Sequence, residues 1–129
     1  ALPLAAESEH VDAHAWEAIR ARQRPGQPDF LHKALSLYLP YADKQIAQLE
    51  KAIADQDARA IATIAHTMKS SSGQLGAQRL ALLYTELESA SRAGRIGDFQ
   101  ELYDRLIPEH RAVSALMRDE LNGEGRSAA

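Results

Sequence analysis

The residues best equipped for chemistry lie in one stretch, IATIAHTMKSSSGQLGA, spanning 61–77. His66 supplies an imidazole, a nucleophile near neutral pH when one ring nitrogen is free of its proton. Lys69 and Ser70 follow three and four residues on, Gly73 and Gln74 seven and eight on, and Thr63 stands one turn before. On a helix these positions share a strip beside His66. A phosphoryl group on the ring would carry negative charge and acceptor oxygens. Lys69 is spaced to meet that charge, and Ser70, Ser71 or Gln74 to donate hydrogen bonds. A carboxylate or amide against the other ring nitrogen would fix the tautomer, but spacing alone does not name it.

Ile61, Ile64, Ala65 and Met68 form the apolar stripe of the same segment. His66 flanks that stripe and is expected to reach solvent. Small residues around it leave room for a large partner, whereas small-molecule sites are usually concave. From the residues alone, a solvated helix face with a chance histidine and lysine remains open. The SSSG run reads equally as a helix end. The segment is no phosphate-binding loop, because it lacks the glycine-lysine-serine/threonine ending and follows no strand.

Helices must position these groups. Asp12 is spaced to cap a short helix over 12–21, with Trp16 and Ile19 on one face. RQRPGQPD, 22–29, breaks the chain. A long pattern follows over 29–55, carried by Leu31, Leu35, Tyr38, Ala42, Ile46, Leu49 and Ile53. Pro40 inside it predicts a kink or break. The histidine helix runs over about 57–72 with Asp57 as cap. The next covers 77–93, with Leu80, Leu83, Leu87 and Ala90 inward and Gly94 ending it. Gly97 marks a turn. The last helix covers 98–121, and Pro108 is expected to interrupt or bend it. This predicts an all-α fold, an antiparallel four-helix bundle with a short extra N-terminal helix. The expected division is a flexible linker remnant at 1–11, the bundle at 12–121 and a flexible tail at 122–129. The start at Ala1 rather than methionine suggests a piece excised from something longer.

Composition narrows the function classes. The chain has 129 residues, 45% of them hydrophobic, a net charge of -3 and no cysteine. Disulfides, thiolate metal sites and a cysteine nucleophile are excluded. The charge offers no general attraction to nucleic acid or an anionic membrane, and no run of about 18 apolar residues could span a bilayer. His10 and His14 would make only a weak two-ligand metal clip, with no third ligand evident. His32 and His110 read as satisfied or solvated helix residues, and Tyr38, Tyr41, Tyr84 and Tyr103 as residues packing at element edges.

AHTMKSSSGQLGA closely resembles the signature of histidine-containing phosphotransfer (HPt) domains, helical modules of two-component phosphorelays. The matching residues are His66, Lys69, the small Ser70 within Ser70–Ser72, Gln74, Leu75, Gly76 and Ala77. LALLYTELESASRAG resembles the family's next helix. PDFLHKALSLYLPYADKQIAQLEKAI resembles the helix before, and the likeness covers about 12–121. It implies that His66 is the phosphoacceptor through Nε2 and that Lys69 stabilises the phosphoryl group. It further implies that Glu88, in a position usually Glu or Gln, faces the other ring nitrogen, with Arg92 near the site. Ser70 departs from a frequent glycine, and Gly73 from a common alanine.

The resemblance implies transfer from a receiver-domain aspartyl phosphate to His66 and on to a receiver aspartate, without kinase activity of its own. Thr63, Ser70, Ser71, Gly73, Arg79 and Arg92 would contact the receiver, which would bring the magnesium ion; the domain itself would bind no cofactor or metal. The implied partners are response-regulator receivers, with no nucleic acid and no direct membrane contact, and the isolated domain would be a monomer. The implied setting is the cytoplasm, as the C-terminal domain of a bacterial hybrid sensor kinase, including the cytoplasmic part of an inner-membrane one; a free-standing protein is the alternative. A protein-docking bundle that binds receivers without being phosphorylated is the competing function. A histidine-kinase dimerisation hairpin fits less well, since Thr67 rather than an acidic residue follows His66.

Overall fold

Three aspartates start three of the helices. Asp12, Asp29 and Asp57 each accept a hydrogen bond from a first-turn amide, those of His14, His32 and Ala60, at 2.9, 2.9 and 3.1 Å. Each satisfies a donor that has no partner within the helix. In the computed structural model, which describes residues 8–127 with side chains to residue 123, the elements are α1 (Ala13–Arg20), α2 (Phe30–Ala54), α3 (Ala58–Gln74), α4 (Gln78–Arg92), a 3₁₀ turn (Ile96–Asp98) and α5 (Phe99–Ser127). No strand occurs among the described residues. The four long helices form the antiparallel bundle expected, with α1 as the short extra helix. Side-chain pairs fix the directions: Tyr38 with Ser72, His66 with Glu88, Glu86 with Arg105 and Asp43 with His110.

The core is aliphatic. Leu35, Leu49, Ile61, Met68, Leu80, Leu87, Leu106 and Met117 are essentially inaccessible. Each such side chain contributes roughly 1.5–3 kcal/mol by burial. Stability therefore resides in residues other than the polar strip of α3, which leaves that strip free for function. Met117 rather than Leu116 takes the fully buried place on α5.

Several expectations need correction. Pro40 and Pro108 interrupt neither helix. Each withholds one amide from the carbonyl four residues back, on Ser36 and Asp104, and all four residues are exposed, where water can replace the lost donor. The histidine helix runs on to Gln74. The backbone of the last helix extends past Leu121 to Ser127, since glycine costs a helix only about 1 kcal/mol each. Residues 1–7 of the expected linker lie outside the described residues. Ser8–Val11 are packed rather than loose: Val11 is buried, and His10 Nδ1 lies 2.8 Å from Glu109 Oε2. Tyr38 and Tyr84 belong to the core instead of element edges, because an aromatic body gains more from burial than its hydroxyl loses. No helix among the described residues is long and apolar enough to cross a membrane.

Candidate functional site

The stripe on α3 determines what its other side presents. Ile61, Ile64, Ala65, Met68, Ser72 and Leu75 point inward. Helical geometry then turns Thr63, His66, Thr67, Ser70 and Gln74 outward, and all five are exposed. The His66 side chain is 61% accessible. It lies against α4, the most extensively packed neighbour of α3.

Glu88 of α4 reaches the ring. Its Oε2 lies 3.0 Å from His66 Nδ1, while Oε1 accepts from Lys69 Nζ at 2.8 Å. Arg92, one turn on, donates to Oε2 from Nε at 3.1 Å and Nη2 at 2.8 Å. The carboxylate is 10% accessible, so these donors replace most of its hydration. They hold its pKa down from the usual 4.5 to about 2, with Lys69 the largest cause and Arg92 next; partial burial opposes them, and His66 adds to them. Glu88 is therefore ionised at neutral pH and can only accept. In the neutral ring the proton must then sit on Nδ1, which leaves the lone pair on Nε2. No described residue bonds Nε2, so the nucleophilic nitrogen faces solvent.

The hydroxyls around His66 are mostly spoken for. Thr63, Thr67 and Ser71 donate to the carbonyls of Arg59, Thr63 and Thr67, each four residues back, at 3.0, 3.2 and 3.2 Å. The Ser71 donor is thus not free as expected, whereas exposed Ser70 has no such bond. Ser72 is not part of the surface at all. Its Oγ lies 2.8 Å from Tyr38 Oη in the core, and its spacing of four from Met68 on the inward stripe was the available signal.

Gln74 is not brought to the ring. It sits two turns along α3, about 12 Å of axial rise away, at an open groove of about 510 Å³ lined by Ala34, Leu37, Tyr38, Tyr41, Ser71 and Leu75. Leu37 and Tyr41 are 63% and 40% exposed there, an apolar pair beside the His66 strip that sequence reasoning missed. Gly73 accepts at its carbonyl from Gln78 Nε2 at 3.3 Å, and a Cβ there would meet only Ala81 Cβ at an ordinary 3.8 Å. Arg79 Nη2 pairs with Glu9 Oε2 at 3.1 Å, so it answers the N-terminal segment.

No group of three or more His, Cys, Asp or Glu among the described residues is placed to hold a metal ion. His10 precedes α1 and is engaged by Glu109, while His14 lies 3.7 Å from Glu17 on α1, so no clip forms. His110 is buried, not solvated, with Nε2 3.0 Å from Asp43.

The sequence pattern of the Hpt domain matches residues 33–122. The chain belongs to the Hpt domain family. That match takes in every group of the His66 site. No curated protein matches the chain. Among solved structures, histidine-containing phosphotransfer protein B from Pseudomonas aeruginosa PAO1 shares the fold with a TM-score of 0.81 and 23% identity, over 89% of this chain and 96% of that one. Hpt domains are phosphotransfer intermediates of two-component relays, partnered by receiver domains, and carry no kinase activity of their own.

Proposed function

We propose that His66 of this Hpt domain accepts a phosphoryl group from a receiver aspartyl phosphate and returns it to a receiver aspartate. The observation that carries the reading is the contact of Glu88 with Nδ1, which leaves the Nε2 lone pair outward. Nε2 attacks phosphorus as the bond to the aspartate oxygen breaks, and the receiver carboxylate leaves. The ring gains positive charge while the Nδ1 proton stays in place, and the Glu88 carboxylate faces that charge. This favours the transition state electrostatically and keeps the phosphoryl group on a good leaving group for the return step. Lys69 and Arg92 place two cations close enough to turn from Glu88 toward the phosphoryl oxygens. The domain contributes position and charge, as phosphoryl transfer mainly requires.

The surface supports a protein donor. His66 protrudes from a helix, and Leu37 and Tyr41 offer an apolar contact across the groove. Thr63, Ser70, Ser71 and Gly73 form the low shoulder on which a receiver would rest. The magnesium ion of the reaction belongs, in this reading, to the receiver. One chain supplies all of the site, so a monomer suffices, in the cytoplasm and either tethered to a hybrid sensor kinase or free. The test mixes the domain with phosphorylated receivers and magnesium and follows intact mass. An acid-labile, base-stable phosphate that is lost in His66→Gln, with the helical circular dichroism unchanged, is expected. Binding to receivers without any transfer would replace this reading with that of a docking bundle.

A further inference from the structure

The turn that joins α3 to α4 carries His66 and Lys69 on one side and Glu88 and Arg92 on the other. Its own closure is local: Ala77 N–H donates to Ser72 O at 2.9 Å, Gly76 N–H to Gly73 O at 3.1 Å, and Gly76 has φ +82°. The N-terminal segment meets two carbonyls of the turn, those of Leu75 and of Gly76, the latter also accepting from Gln78 N–H at 3.0 Å. Trp16 Nε1 donates to Leu75 O at 2.8 Å, and Asp12 N–H to Gly76 O at 2.8 Å. Trp16 and Val11 are each 1% exposed. The approach is so close that a Cβ on Gly76 would lie 2.7 Å from Asp12 O and 3.0 Å from Ala15 Cβ. Two further pairs fasten the segment, Glu9 with Arg79 at the start of α4 and His10 with Glu109 on α5.

We propose that residues 8–20 form a clamp on this turn, with Trp16 the positioning residue that keeps Glu88 against Nδ1 of His66. This turn joins the two helices, so holding it rigid helps to set their relative azimuth at the site. A hydrogen bond such as the 3.0 Å His66–Glu88 contact weakens steeply with misalignment. Val11 and Trp16 belong to the same buried cluster as the core of α2–α5, so the variants that test the clamp must keep most of that burial and remain folded. Arg79 is accordingly an anchor of the clamp. The effect on the ring stands by itself; the effect on transfer rests on the function proposed above.

The experiment is ¹⁵N NMR of the histidine side chains in the full chain at mildly alkaline pH, on Trp16→Phe, which removes the indole N–H and keeps most of the ring. Val11→Ala is a milder variant in case Trp16→Phe does not fold, and Ile53→Ala, buried at the α2–α3 connection at the other end of α3, is a core control. In wild type the His66 nitrogens should show one bearing the proton and the other bare. In Trp16→Phe, and to a lesser degree in Val11→Ala, the two resonances should converge, and transfer from a receiver should fall roughly fivefold, as for one lost hydrogen bond. Ile53→Ala should lower Tm and leave the resonances apart. Unchanged His66 resonances in the folded clamp variants would overturn the proposal, as would an equal convergence in Ile53→Ala. A wild-type domain that no receiver phosphorylates would sink the proposed function, while the resonances would still decide the clamp.

Discussion

Glu88 Oε2 and His66 Nδ1 stand 3.0 Å apart across the α3–α4 pair, and the same carboxylate also binds Lys69 and Arg92. One side chain thus sets the tautomer of the nucleophile and parks the two cations nearest to it. The carboxylate is far less exposed than the ring it orients, so it is held while His66 is presented.

Removing that carboxylate should slow chemistry more than it harms the fold. For Glu88→Ala we expect receiver-to-His66 transfer to fall roughly 10–100-fold, the value of a hydrogen bond to a charged group. Glu88→Gln keeps an acceptor for Nδ1 and should lie nearer wild type. Lys69→Ala should slow transfer and spare the helical signal. Single-turnover transfer with circular dichroism on the same samples checks all three.

The depressed pKa of Glu88 has a direction in pH. Because the folded value lies below the usual 4.5, the stability that Glu88 adds is complete above about pH 4.5 and is lost as pH falls toward about 2. The Tm of wild type should therefore drop faster than that of Glu88→Gln across this window. Parallel curves from thermal unfolding at a series of pH values would show that the pairing adds nothing to stability.

Two glycines with similar backbone angles separate strain from crowding. Gly94 has φ +72° and open space around its missing Cβ, whereas Gly76 has φ +82° and the Asp12 carbonyl in the way. Gly94→Ala should cost about 1 kcal/mol, for the left-handed backbone alone. Gly76→Ala should cost roughly 2–4 kcal/mol, because overpacking adds to that strain. Urea unfolding midpoints of the two variants give the comparison.

The apolar pair beside the site should matter to receivers more than to folding. Leu37 is 63% exposed and Tyr41 40%, so Leu37→Asp removes little burial and Tyr41→Asp removes more. Each should raise the Kd for a receiver roughly 5–20-fold, with Tm nearly unchanged for Leu37→Asp. Titration calorimetry with a receiver that phosphorylates the domain measures this.

Much of the architecture was legible because it is local. Capping by Asp12 and Asp57 and the stripe Ile61–Ile64–Ala65–Met68 depend on neighbours within a turn or two, and so does the outward turn of His66. Glu88 came from the resemblance; its i+4 partner Arg92 was in plain sight, yet nothing local joined either to His66. The prolines misled only as to a break, where a rule about a lost amide ignored that water could serve the exposed carbonyl.

By itself, then, the sequence determined helices, their inner and outer faces, and a nucleophile on an outer face, because helical periodicity is written in spacings of three and four. Only the tertiary structure decided which side chains meet. Trp16 finds Leu75 across 59 residues and His10 finds Glu109 across 99. These pairings follow from how the helices pack and how closely a glycine turn lets the chain approach. That packing is a property of the whole core, and no window of the sequence contains it.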